Sequence, residues 1–136
     1  MQQSRKRARD SAYKLVFEYL FLGRENPKTL AIVTAVDMPG SEQEYIEKVY
    51  HGVIEHADEL KALISKYALN FKSDRIFLAD MAAMLIAAYE MKYMDDIPLG
   101  VSISEAVELV KTYSTEKSYS YVNGILSSVY KELTAE

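Results

Sequence analysis

The stretch Ser73–Met91, SDRIFLADMAAMLIAAYEM, decides the fold class. Apolar side chains fall nearly all round its helical wheel, the pattern of a helix enclosed by other helices on every side. Its most apolar window, Met81 to Tyr89, is far short of the ~20 residues needed to cross a bilayer. The reading is therefore a central helix, with Ser73 or Asp74 as its N-cap and the turn Asp95-Asp96-Ile97-Pro98 as its end.

Working outward, the flanking segments keep the same periodicity. Ser102 with Glu105 reads as a capping box that opens a helix carrying Ala106, Val107, Leu109, Val110 and Tyr113. After the polar stretch Ser114–Ser118, Val122, Ile125, Leu126, Val129 and Leu133 mark the last helix. Upstream, Ser41 with Glu44 reads as a second capping box. The stripe Ile46, Val49, Tyr50, Val53, Ala57, Leu60, Ile64 and Tyr67 follows it, with a kink or split expected at Gly52 or His56-Ala57-Asp58. Ala8, Ala12, Leu15, Val16, Tyr19 and Leu20 form the buried stripe of a first helix ended by Gly23 and Asn26-Pro27. TLAIVTAV (29–36) reads as a short helix, although its β-branched content leaves a strand open. The expected fold is all-α, six or seven helices in one domain spanning 1–136, without repeats.

Composition removes whole classes of chemistry. The chain has no cysteine, which excludes disulfides, thiol catalysis and Cys-based zinc sites. Only five Gly and three Pro argue against many short strands joined by tight turns. His51 and His56 are five apart, not the three or four that place two metal ligands on one helical face. No nucleophile elbow, Walker loop or dinucleotide fingerprint is present. Asp95-Asp96, directly before Ile97-Pro98, reads as a helix-ending turn and not as paired catalytic carboxylates. No enzyme activity, metal or cofactor is expected. The basic start runs into Asp10, Lys14 and Glu18 and so holds no signal-peptide core, and a cytoplasmic protein without a membrane partner is expected.

The charge distribution points to a partner. Residues 1–14 hold Arg5, Lys6, Arg7, Arg9 and Lys14 against Asp10 alone, a balance of +4. The whole chain sums to −4, so the other 122 residues hold −8. Cations are disfavoured at a helix N-terminus, and Arg5 with Arg9 is a like-charge i,i+4 pair. A solvated helix end would tolerate this, whereas a bound anion would make it favourable. Arginine forks suit phosphate, and nearby aromatics stack unpaired bases. Tyr113, Tyr119 and Tyr121, interleaved with Lys111 and Lys117, offer such aromatics, with amphipathic packing as their other reading.

The motifs then converge on a family. DIPLGVSISEAVELVKTY (96–113), followed by SYSYVNGIL (118–126), resembles the signature of the NusB family of bacterial transcription antitermination factors. AAYEM (87–91) resembles that family's helix ending in Tyr-Glu-Leu, and RKRARDSAYKLVF (5–17) resembles its arginine-rich first helix. The likeness runs from Arg5 to about Leu133 and is weakest over residues 22–60. It implies two packed helical halves. It also implies binding of boxA, a single-stranded element of nascent RNA, together with the ribosomal protein NusE. The pair would dock on the RNA polymerase elongation complex and help it resist termination, notably in ribosomal RNA operons.

By the same resemblance Arg5, Lys6, Arg7 and Arg9 would contact RNA, and Lys117, Ser118, Tyr121 and Asn123 would form a second RNA wall. Tyr121 either stacks a base or packs in the core. By that resemblance Asp80 would fall on the NusE-facing side. Two positions depart from the family pattern: Leu85 where an arginine is frequent, and Ser104 where the family has Asn. The first leaves Glu90 and Glu105 without that arginine as a possible partner. Arg5, Arg7 and Arg9 remain as residues that folding does not explain.

Two other readings compete. One is the RNA-recognition domain that precedes some ribosomal RNA cytosine methyltransferases; an end at Glu136, with no long catalytic domain, is expected to favour the antitermination factor. The other is a protein–protein scaffold without RNA preference, in which self-association hides the basic surface.

Overall fold

The computed structural model describes residues 2–34, 38–68 and 76–135, and these form seven helices without a strand. They are α1 (Gln2–Leu22), α2 (Pro27–Thr34), α3 (Gly40–Glu55), α4 (Ala57–Tyr67), α5 (Leu78–Tyr93), α6 (Leu99–Tyr113) and α7 (Glu116–Thr134). The all-α expectation holds, and 29–34 of the ambiguous TLAIVTAV stretch is helical.

Helix α5 is the axis of the molecule. Every residue from Asp80 to Met91 is buried, and α1, α3, α4, α6 and α7 all pack on it. The halves formed by α1–α3 and by α4, α6 and α7 therefore share one continuous core. Small residues along α5 (Ala82, Ala83, Ala87, Ala88) let neighbouring helices approach closely, and Met84, Leu85 and Ile86 fill the gaps between them.

Local chemistry sets the boundaries. Gly23 takes φ +75°, the left-handed conformation that ends α1, and its N–H bonds to the Tyr19 carbonyl at 2.8 Å. The long stripe from Ile46 splits at His56, whose φ −107° and ψ 18° break the helix between α3 and α4. Both expected capping boxes are corrected. Pro39 caps α3, and its carbonyl accepts from the Glu42 and Gln43 N–H groups, so Ser41 lies inside the first turn. Pro98 caps α6 with its preset φ of −59°, which starts the helix early enough to bury Ser102 in its second turn. Ser73 and Asp74 lie outside the described residues; the described part of α5 begins at Leu78 with Phe77 as its cap. Helix α7 starts inside the polar stretch, where the Thr115 hydroxyl accepts from the Ser118 N–H at 3.3 Å.

Candidate nucleic-acid interface

The α1 cations divide between two faces because successive residues turn by about 100° round a helix. Arg5 and Arg9, one turn apart, face inward against α3, α5 and α6. The Arg5 guanidinium forks onto Glu42, with Nε to Oε2 at 2.8 Å and Nη2 to Oε1 at 3.0 Å. It also lies over the Tyr45 ring at 4.4 Å. Arg9 is 4% exposed and forks onto Glu90, with Nε to Oε2 at 2.8 Å and Nη2 to Oε1 at 3.2 Å. Glu90 is fully buried and also accepts from the Tyr45 hydroxyl and, at 2.7 Å, from the Ser102 hydroxyl. Burial disfavours the Arg9 charge, but Tyr45 and Glu90 outweigh it and raise the guanidinium pKa. Burial and the Glu90 carboxylate in turn push the Tyr45 phenol well above its ordinary value.

These contacts correct one expectation. Folding does explain Arg5 and Arg9, because each neutralises a buried glutamate from another helix. In place of the family's arginine at position 85, Glu90 is served by Arg9, and Glu105 by Lys6 at 2.9 Å and Arg9 at 3.8 Å. With Arg9 in place, Leu85 belongs wholly to the apolar core.

Arg7 lies on the other face. It is exposed and carries no ion pair among the described residues. With Lys6, Ser11, Lys14, Ile32 and Met38 it lines an open groove of about 480 Å³. Lys14 is paired to Asp10 at 2.9 Å, and the Lys6–Glu105 pair is half exposed and exchangeable. The outward face of α1 thus presents one uncommitted arginine beside a solvent-accessible lysine.

The second predicted wall lies where α7 begins. A cavity of about 670 Å³ is lined by Phe77, Asp80, Lys117, Ser118 and Tyr121, among others. Lys117 and Asn123 are exposed. Ser118 is buried, and its hydroxyl donates to Asp80 at 2.8 Å. Asp80 is 3% exposed and also accepts from Ser114 at 2.7 Å, so its carboxylate ties α5 to the α6–α7 turn instead of standing on the surface. The half-buried Tyr121 ring packs on the core, as one of its two readings had it, and also lines the cavity. Burial, and then Asp80, raise its phenol pKa.

The two walls are joined through aromatic side chains. Tyr13 of α1 stacks on Tyr113 of α6 at 5.3 Å and donates to the Ala79 carbonyl, next to Asp80. Burial and the Asp80 charge push the Tyr13 phenol up to about 12. Tyr119 is exposed beneath the Lys111 ammonium, 4.5 Å from its ring centre. Sequence reasoning missed Glu42, Tyr45 and Ser102. Glu90, an acid within the largely apolar stretch Met81–Met91, was the visible sign that a buried cation had to come from elsewhere.

Among the described residues no three His, Asp or Glu side chains come together as a metal site. His56 stacks on Tyr93 at 4.3 Å instead. None of the described helices is long and apolar enough to cross a membrane.

The sequence model of the NusB family matches residues 6–131. The chain belongs to the NusB family. The transcription antitermination protein NusB of Bacillus subtilis is 36% identical over 132 residues, covering 95% of this chain and 96% of that protein. NusB of Acetivibrio thermocellus is 37% identical over 128 residues, covering 93% and 88%. Among solved structures, T. maritima NusB superposes with a TM-score of 0.84 at 31% identity, covering 94% of this chain and 91% of that one. A crystal structure of the antitermination factors NusB and NusE in complex with double-stranded RNA superposes with a TM-score of 0.85 at 26% identity, covering 97% and 99%.

Proposed function

We propose that this chain acts as a transcription antitermination factor by binding boxA-type RNA together with NusE, through the outward face of α1 and the start of α7. The observation that carries the reading is Arg7. Three of the four cations between residues 5 and 9 are matched by Glu42, Glu90 and Glu105, and Arg7 stands exposed over a groove with no such partner among the described residues. An uncommitted arginine on an otherwise acidic protein is suited to a localised phosphate. Family membership supports the same reading, as does a related NusB held with NusE and RNA.

In this account Arg7 and Lys6 meet the phosphate backbone, and Lys117 and Asn123 provide polar contacts at the second wall. Arg5 is partly exposed but held by Glu42 on the other face of α1. Binding, not catalysis, is the activity, and the complex acts on the RNA polymerase elongation complex in the cytoplasm. Self-association that covers the α1 face would compete with RNA.

Equilibrium binding of a boxA-like RNA in the presence of NusE, measured across salt concentrations, tests the assignment. Each lost single-strand phosphate contact lowers the slope of log K against log salt by about 0.7. Arg7→Ala is expected to weaken binding and lower the slope by that amount. Unchanged affinity and slope would remove Arg7 from the interface. A duplex of the same sequence, run in parallel, separates single-strand recognition from double-strand recognition.

A further inference from the structure

Arg9 stands out within the basic arm. Three helices converge on its guanidinium: α3 through the Tyr45 ring 5.5 Å away, α5 through Glu90, and α6 through Glu105. Glu90 is itself held by Tyr45 and Ser102. A phosphate could reach Arg9 only by displacing a carboxylate that receives two of its N–H groups, leaving Glu90 buried and unpaired. Arg9 lies two residues from Arg7, on a different face of α1. Pinning Arg9 to the body therefore fixes the rotation of α1 about its own axis, and with it the direction in which Arg7 and Lys6 point. Ala8 and Ala12, both fully buried, hold the same helix close against the core but supply no directional bond.

We propose that Arg9, clamped by Glu90, Tyr45 and Ser102, is a positioning residue that aims Arg7 and Lys6 at the RNA and touches no phosphate itself. The proposal rests on the RNA-binding reading above. It separates the cations of the arm by role: Arg9 orients, and Arg7 and Lys6 contact. A clamp of this kind sets the ordering cost before the RNA arrives, which raises affinity without adding a contact.

The test is the double variant Arg9→Met with Glu90→Gln, titrated with boxA-like RNA and NusE across a salt series beside the wild type and Arg7→Ala. Removing both charges avoids stranding one of them, and the amide oxygen introduced by Glu90→Gln still offers an acceptor to Tyr45 and Ser102. Circular dichroism melting verifies that the variant is folded at the titration temperature. The expected result is binding weaker by about threefold to tenfold, the ordering cost of one long side chain, with the wild-type salt slope. A slope lowered by about 0.7, as for Arg7→Ala, would mean that Arg9 contacts a phosphate and would overturn the proposal. Wild-type affinity in the folded variant would overturn it as well, by reducing the clamp to fold stability. Where the double variant does not fold, Ser102→Ala gives the same readout: weaker binding at unchanged slope supports the clamp, and wild-type affinity contradicts it. A wild-type protein that binds no RNA defeats the functional reading instead, so the two failures are distinguishable.

Discussion

Glu90 has no exposed surface and receives three donor side chains, so its charge is tolerable only while they stay in place. Removing one member of a buried ion pair costs about 3–5 kcal/mol, because the other charge is left uncompensated. Glu90→Ala is accordingly expected to destabilise the fold by that amount in urea unfolding, and the paired Arg9→Met and Glu90→Gln change by much less. Arg7→Ala, at an exposed site without an ion pair among the described residues, should stay within about 0.5 kcal/mol of the wild type in the same experiment. A second residue-scale prediction concerns pH. Hydrogen bonds from Lys92 and Tyr93 hold the Glu59 carboxyl down at about 2, below its ordinary 4.5. Because the folded value is the lower one, this interaction is fully present above the ordinary carboxylate range and is lost as pH falls through about 2. An NMR titration should give a Glu59 midpoint near 2, and Lys92→Ala should move it up toward the ordinary value.

Among the elements, α5 was the most legible from sequence, because a helix apolar on nearly every side has few places to sit other than the centre. Its neighbours were visible through periodicity, which reports faces well and ends poorly. Ser41 and Ser102 both matched a capping box, yet Pro39 and Pro98 start those helices earlier by fixing φ. The pattern therefore hid the buried role of Ser102 as a donor to Glu90. Packing and capping each set a prediction at this scale. The Tyr89 ring of α5 occupies the space that a Cβ on Gly52 of α3 would need. Gly52→Ala should cost about 1–3 kcal/mol by overpacking, and a smaller side chain at Tyr89 should recover part of that loss in a double-mutant cycle. Thr115→Ala should remove the α7 cap at a cost of about 1 kcal/mol. Raised hydrogen exchange in the first turn of α7, next to Lys117, would report that loss directly.

Over the whole molecule, the sequence located the basic arm but could not sort its members. Charge counting treats Arg5, Arg7 and Arg9 alike, and only the fold brings Glu42 and Glu90 from distant positions to two of them. The same limit applies to Asp80, whose carboxylate is engaged by two serines from the α6–α7 region. Tertiary neutralisation of this kind leaves no local pattern to read. What survives it is a small uncommitted surface, Arg7 with exchangeable Lys6 on α1 and Lys117 on α7, carried by a protein whose net charge is −4. The central claim is that this surface recognises a specific RNA jointly with NusE. Its most direct test is a titration of the full chain with boxA-like and scrambled RNA of equal length, alone and with NusE present. The account predicts tighter binding of the boxA-like RNA, a wider margin over the scrambled RNA when NusE is added, and weaker binding of both RNAs in Arg7→Ala. Equal affinity for the two RNAs in the presence of NusE would contradict it.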